Sequence, residues 1–175
     1  ETRSEIELTF APLVKEVSPA VVNVYTQKTV KTGITPMEML LYGRAAPQSR
    51  VQNSLGSGVV VRDDGVIVTN NHVVEDADSF RVVLSDRREY PAELVLNDER
   101  TDLAVLKIDT GGDKLPVLHY ADTREAQVGD LVMAIGNPFG VGQTVTSGII
   151  SATARTDVGI SDYSFFIQTD AAVNP

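Results

Sequence analysis

A chain of 175 residues with 42% hydrophobic and 22% charged side chains can bury a real core and has the makeup of an ordinary folded domain, or of two closely packed barrels. This composition does not point to intrinsic disorder, and no apolar run approaches the length of a bilayer-spanning helix. The formal charge of -9 and a pI near 4.6, with Lys and Arg scattered, exclude the dense basic face that nucleic acid requires.

Cysteine is absent, so disulfides and thiolate chemistry are excluded in any compartment. Two histidines far apart in sequence cannot supply the usual zinc ligand set, and no phosphate-binding glycine loop occurs, so neither a metal nor a cofactor is expected. No basic and apolar leader opens the chain, which reads either as cytoplasmic or as the processed remainder of an exported precursor.

Phe10, Leu13, Val14 and Val17 fall on one stripe of a short N-terminal helix that Ser18 and Pro19 should end, with the helix packed on the outside of the main body. The β-branched residues from Ala20 to Tyr25 predict a first strand. Residues 29–53 lack periodicity and carry Gly33, Pro36, Gly43 and Pro47, the marks of a long loop. Its apolar stretch, Met37 and Met39 to Tyr42, is a candidate for docking on a neighbouring subunit or substrate, against the plainer reading of local packing.

Strands then come quickly. Leu55–Val61 runs through the turn residues Arg62, Asp63, Asp64 and Gly65 into Val66–Thr69, a hairpin by its turn chemistry. Phe80–Leu84, Tyr90–Leu96 and Asp102–Ile108 follow, and a second series comprises Leu131–Ile135, Thr144–Ser151 and Phe165–Gln168. Short strands at this spacing predict an all-β barrel or sandwich, in two units separated between Leu118 and Gln127. The predicted segments are residues 1–18, helical; 19–118, a first β-barrel; and 119–175, a partial second β-barrel.

The chemistry centres on His72, just past the apolar run Val66–Val68, and Asp102, which opens another. A serine hydroxyl attacks a peptide carbonyl poorly unless a base takes its proton near neutral pH, and imidazole suits that task. A carboxylate on the other ring nitrogen fixes the tautomer and stabilises the imidazolium. His72 is the candidate base and Asp102 its orienter, expected to be buried at the start of its strand. Either residue alone also has an ordinary reading, the histidine as a satisfied structural residue and the aspartate as a turn acceptor.

Together with their surroundings these residues resemble the HtrA/Deg family of chymotrypsin-fold serine proteases. The resemblance runs through Ser18–Val24, Gly56–Ser57–Gly58, Thr69–Val74, Thr101–Ile108, Ala134–Gly140, Thr144–Ser151 and Phe166–Pro175. It implies two perpendicular β-barrels with the site between them, His72 as general base and Asp102 as orienting acid. It also implies an ATP-independent endopeptidase, exported to a periplasm or similar compartment, that degrades unfolded or misfolded proteins through an acyl-enzyme. A homotrimer or larger homo-oligomer is implied as well, Phe10 being a candidate for that interface or for packing on its own domain.

In the family the stretch matching Asp170–Pro175 continues into Gly, Asn, Ser, Gly, Gly, which holds the nucleophile and backbone donors of the oxyanion hole. That motif and a PDZ domain are not among the 175 residues, so the sequence reads as the N-terminal part of a longer polypeptide, with the second barrel incomplete and the segment inactive alone. The alternative is an inactive fragment or pseudo-protease serving as a binding or scaffold module. Ser57 lacks the spacing of a nucleophile elbow, Ser147 and Ser151 sit on a predicted strand, and Ser161 and Ser164 sit in a loop; none is read as the nucleophile. His119 has no carboxylate near it in sequence and reads as surface or structural. Asn137–Gly140 is a tight turn that the resemblance places near the cleft, and Arg155–Tyr163 matches a loop that in the family senses activating signals.

Overall fold

A computed structural model describes residues 9–32, 48–136, 143–153 and 166–173. Six strands carry the first unit: β1 (Val21–Thr32), β2 (Gln48–Arg62), β3 (Val66–Thr69), β4 (Ser79–Val83), β5 (Glu89–Asp98) and β6 (Leu103–Ile108). They close into an antiparallel barrel in the order β1-β2-β3-β6-β5-β4. Closure removes the open edges that a flat sheet would expose. Alternate residues turn inward, so Val22, Val24, Val60, Ile67, Val82, Leu106 and Ile108 are almost fully buried together.

The hairpin between β2 and β3 turns where its residues demand. The Gly65 amide donates to the Arg62 carbonyl at 3.1 Å, and Gly65 has φ +98°, a conformation that glycine adopts without steric cost. Ile108 at the end of β6 in turn donates its amide to the Gly65 carbonyl at 3.0 Å, tying the turn to the barrel.

Two expected segments differ in extent. The loop expected over residues 29–53 is shorter, because β1 and β2 continue as a two-stranded ribbon from Thr29 opposite Val51 to Thr32 opposite Gln48. Its backbone is paired, while Arg50, Val51, Gln52 and Asn53 are exposed, so no face has reason to be apolar and periodicity is lost. Met37 to Tyr42, Asn137–Gly140 and Arg155–Tyr163 lie outside the described residues.

The helix α1 covers Ala11–Val17 and passes into a 3₁₀ turn at Ser18–Ala20. No side chain of α1 is buried, and Phe10 and Leu13 stay exposed, so the helix lies at the surface.

A second sheet contains β7 (Leu131–Gly136), β8 (Thr144–Ala152) and β9 (Gln168–Thr169) in that order. The last strand begins later than the expected Phe165–Gln168: Phe166 and Ile167 approach it as irregular chain, and its two residues pair with Ile150 and Ala152. Leu131 of β7, and Phe166 and Val173 in the chain on either side of β9, are largely exposed. The fold is thus all-β, a complete barrel beside an incomplete second one, with a short N-terminal helix.

Candidate active site

The site begins where β3 ends. Antiparallel pairing sets Thr69 beside Ala104 of β6, which brings the residues after Thr69 alongside those before Ala104. Thr69 is buried, and its Oγ1 donates to the Ser57 carbonyl on β2 at 2.8 Å. The chain then forms one helical turn, α2 (Asn71–Val74).

Three residues anchor that turn. Val73 and Val74 pack into the barrel core, and buried Asn71 accepts at Oδ1 from the Asn97 amide of β5 at 3.1 Å. Each residue in a helix advances about 100°, so fixing positions 71, 73 and 74 inward directs the intervening His72 outward. Its side chain is 67% exposed. β2 passes close beneath: a Cβ added to Gly56 would lie 2.5 Å from Val73 Cγ2, so only glycine leaves that valine its place.

Asp102 meets the turn from the other side. It lies before β6 rather than in it, with φ +54°, in the left-handed region that Asp tolerates better than most residues. Its Oδ1 accepts the His72 backbone N–H at 2.9 Å, and its Oδ2 lies 2.8 Å from His72 Nδ1. The Asn70 side-chain amide donates to the same Oδ2 at 3.1 Å and to the Asp102 carbonyl at 3.1 Å.

These bonds, first the backbone N–H of His72 and then its ring, hold the Asp102 carboxyl below its ordinary pKa of 3.8. An ionised carboxylate can only accept, so the proton between the two side chains sits on Nδ1 and the lone pair on Nε2. Such an imidazole can take a proton at Nε2 while the carboxylate stabilises the cation that results. Burial does not supply this hold, contrary to the expectation from an apolar strand: the Asp102 side chain is 46% exposed, because the turn before β6 lies outside the packed ladder.

His72 lines a cleft of about 570 Å³ between the barrel and the second sheet. Gly56 and Ser57 of β2 contribute one wall; Ala134 of β7, Thr146 of β8, and Ala172 and Val173 contribute the other. The segment carrying Ala172 is pinned to β8, with Asp170 Oδ1 accepting from the Ile149 amide at 2.7 Å and Thr146 Oγ1 donating to the Ala172 carbonyl at 2.6 Å.

The other candidates disperse. Ser57 stands in the cleft wall on β2, opposite Asn23; Ser147 and Ser151 lie on β8; Ser161 and Ser164 lie outside the described residues. His119 is exposed in irregular chain well after β6. Among the described residues no group of three or more His, Asp or Glu side chains is arranged to hold a metal ion. Asn70, Ala172 and Val173 lie in stretches that carry the family resemblance, but sequence reasoning gave them no role, since the bonds of Asn70 to Asp102 and the place of Ala172 and Val173 in the cleft arise only on folding.

Comparison with known proteins adds an independent line. Residues 56–175 match the family model of the trypsin-like peptidase domain. The chain is 44% identical over 187 aligned positions to a probable periplasmic serine endoprotease DegP-like of Marinomonas sp. (strain MWYL1), covering 95% of this chain and 39% of that protein. A protein of the same description from Brucella suis biovar 1 (strain 1330) is 55% identical over 119 positions, covering 68% of this chain and 23% of its own length. Among solved structures, HtrA-type protease AlgW with decapeptide superposes with a TM-score of 0.75 at 45% identity, covering 96% of this chain and 53% of that one. AlgW with tripeptide gives 0.74 at 46%, covering 95% and 48%. The chain therefore spans about two-fifths of the Marinomonas relative and about half of these structures.

Proposed function

Because the chain belongs to the trypsin-like peptidases, as a member of the HtrA/DegP type of serine endoprotease, we propose that His72 and Asp102 are the base and the orienting acid of a Ser-His-Asp triad. The observation that carries this reading is the Asp102 Oδ2 to His72 Nδ1 hydrogen bond at 2.8 Å, on an imidazole that lines the cleft between the two sheets.

The serine is assigned to the Gly-Asn-Ser-Gly-Gly motif that in the family follows the stretch matched by Asp170–Pro175. Ala172 and Val173 line the cleft with His72, so chain continuing from them starts on the correct side of it. In the reaction, Nε2 of His72 takes the serine proton as Oγ attacks the peptide carbonyl, and Asp102 stabilises the imidazolium. The same proton passes to the leaving amine as the C–N bond breaks, leaving an acyl-enzyme. Water, deprotonated by His72, then releases the acid and restores the serine. Hydrolysis belongs in this reading to the longer protein that carries the assigned serine.

The substrate class is unfolded or misfolded polypeptide, and the compartment the periplasm. The peptides in the AlgW structures support a polypeptide substrate, and the description of the DegP-like relatives supports the periplasm. Assembly as a homotrimer or larger homo-oligomer completes the proposal. A purely scaffolding role is not favoured, since it has no use for a carboxylate aligned on the imidazole.

The test is hydrolysis of an unfolded polypeptide by the full-length protein and by its His72→Ala variant. Cleavage by the parent and none by the variant supports the proposal; equal cleavage by both overturns it.

A further inference from the structure

We propose that Asn70 is a positioning residue for this reaction: its side-chain amide clamps Asp102 in the left-handed conformation from which the carboxylate reaches His72. The inference rests on the proposed roles of His72 and Asp102.

Asn70 occupies the N-cap of α2. An asparagine there ordinarily folds its oxygen back to accept an N–H of the first turn. This one makes no such bond. The amide of His72, the second helical residue, is capped instead from across the fold by Asp102 Oδ1 at 2.9 Å. Asn70 is thereby released from capping, and its Nδ2 points at Asp102.

That nitrogen bonds two oxygens of one residue, the Asp102 carbonyl and Oδ2, each at 3.1 Å. A primary amide has two hydrogens on one nitrogen, so a single group makes both bonds together. The reverse orientation would set the amide oxygen against two acceptors, which fixes the assignment. The Asn71 backbone N–H reaches the same Asp102 carbonyl at 3.1 Å, so the left-handed backbone is held from two neighbouring residues.

The clamp matters because packing does not do its work. The Asp102 side chain is 46% exposed, and water competes for its oxygens. Without Nδ2, among the described residues Oδ2 keeps only the histidine ring as partner, and the carbonyl keeps only the Asn71 amide. The carboxylate is then held only by its two bonds to His72, Oδ1 to the backbone N–H and Oδ2 to the ring, and the left-handed backbone beneath it by one bond fewer. It spends less time aligned on Nδ1 and fixes the tautomer less firmly.

The experiment uses the full-length protein and the variants Asn70→Ala and Asn70→Asp. The second keeps the size and capping ability of the residue while replacing the donors by a carboxylate, so it serves if the first fails to fold. Nitrogen chemical shifts of the His72 ring report which ring nitrogen carries the proton, whether or not any substrate is cleaved. Turnover of a peptide is measured beside them. The parent is expected to hold the proton on Nδ1. The variants are expected to shift it toward Nε2, with kcat lowered by about tenfold or more and KM little changed.

An unaltered tautomer in a folded variant overturns the clamp, as does a parent whose proton is not on Nδ1. A parent that cleaves nothing, yet whose tautomer shifts on substitution, contradicts the protease reading and supports the clamp.

Discussion

Asp102 grips His72 at two points, its Oδ1 accepting the backbone N–H at 2.9 Å and its Oδ2 facing ring Nδ1 at 2.8 Å. One carboxylate therefore sets both the path of the chain through His72 and the orientation of its ring. Asp102→Asn in the full-length protein keeps the shape but presents an amide to Nδ1, which favours the wrong tautomer. Turnover is expected to fall by about four orders of magnitude, the size of that effect in serine-protease triads, with KM much less affected. Steady-state kinetics on a peptide substrate check it.

Gly56 and Val73 form a second close relationship, since a Cβ on Gly56 would meet both Val73 methyls, at 2.5 and 2.8 Å. Gly56→Ala is expected to cost about 1–3 kcal/mol of stability by overpacking and to displace α2, reducing turnover as well. Val73→Ala creates the missing space. The pair should be non-additive, with Gly56→Ala less harmful in the Val73→Ala background, as a double-mutant cycle on denaturant midpoints would measure.

Acid should loosen the protein through carboxylates that are hydrogen-bonded only when folded. The Thr29 backbone N–H donates to Asp78 Oδ2 at 2.6 Å and holds that carboxyl below 3.8; Asp86, Asp102 and Asp122 are lowered too, by bonds from Arg88, His72 and Arg124. A depressed folded pKa means that the unfolded chain binds the proton first as pH falls. The stabilisation is present above 3.8 and is lost as pH drops through the lower folded values. Urea midpoints at pH 6 and pH 3 should differ less in Asp78→Asn than in the parent.

Ile67 lies at the centre of the barrel with no exposed surface. Ile67→Ala is expected to destabilise the domain by about 2–5 kcal/mol while leaving the carboxylate-imidazole bond intact in the molecules that stay folded. Thermal unfolding together with turnover per folded molecule separates the two effects.

The legible parts of the fold were those where one face of a strand meets the core. Ile67, Leu106 and Ile108 alternate with less buried neighbours, and β3, β6 and their turns could be placed from that pattern and from Gly65. The β1–β2 ribbon was not legible, because Arg50 to Asn53 touch no core and backbone pairing leaves no mark on composition. His72 and Asp102 could be named as candidates from imidazole and carboxylate chemistry, and the family resemblance joined them. The means of holding Asp102 could not be foreseen. An aspartate before an apolar run suggests burial at a strand start, whereas its left-handed φ and its bonds to Asn70 and Asn71 depend on contacts made across the barrel.

The most direct measurement is labelling of the intact full-length protein with a fluorophosphonate, which modifies only an activated serine, read by intact mass beside His72→Ala. A single adduct on the parent, located in the segment that follows Pro175, and none on the variant is the expected result. No adduct on a folded parent, or equal labelling of the variant, would contradict the assignment of His72 as the base of a serine protease.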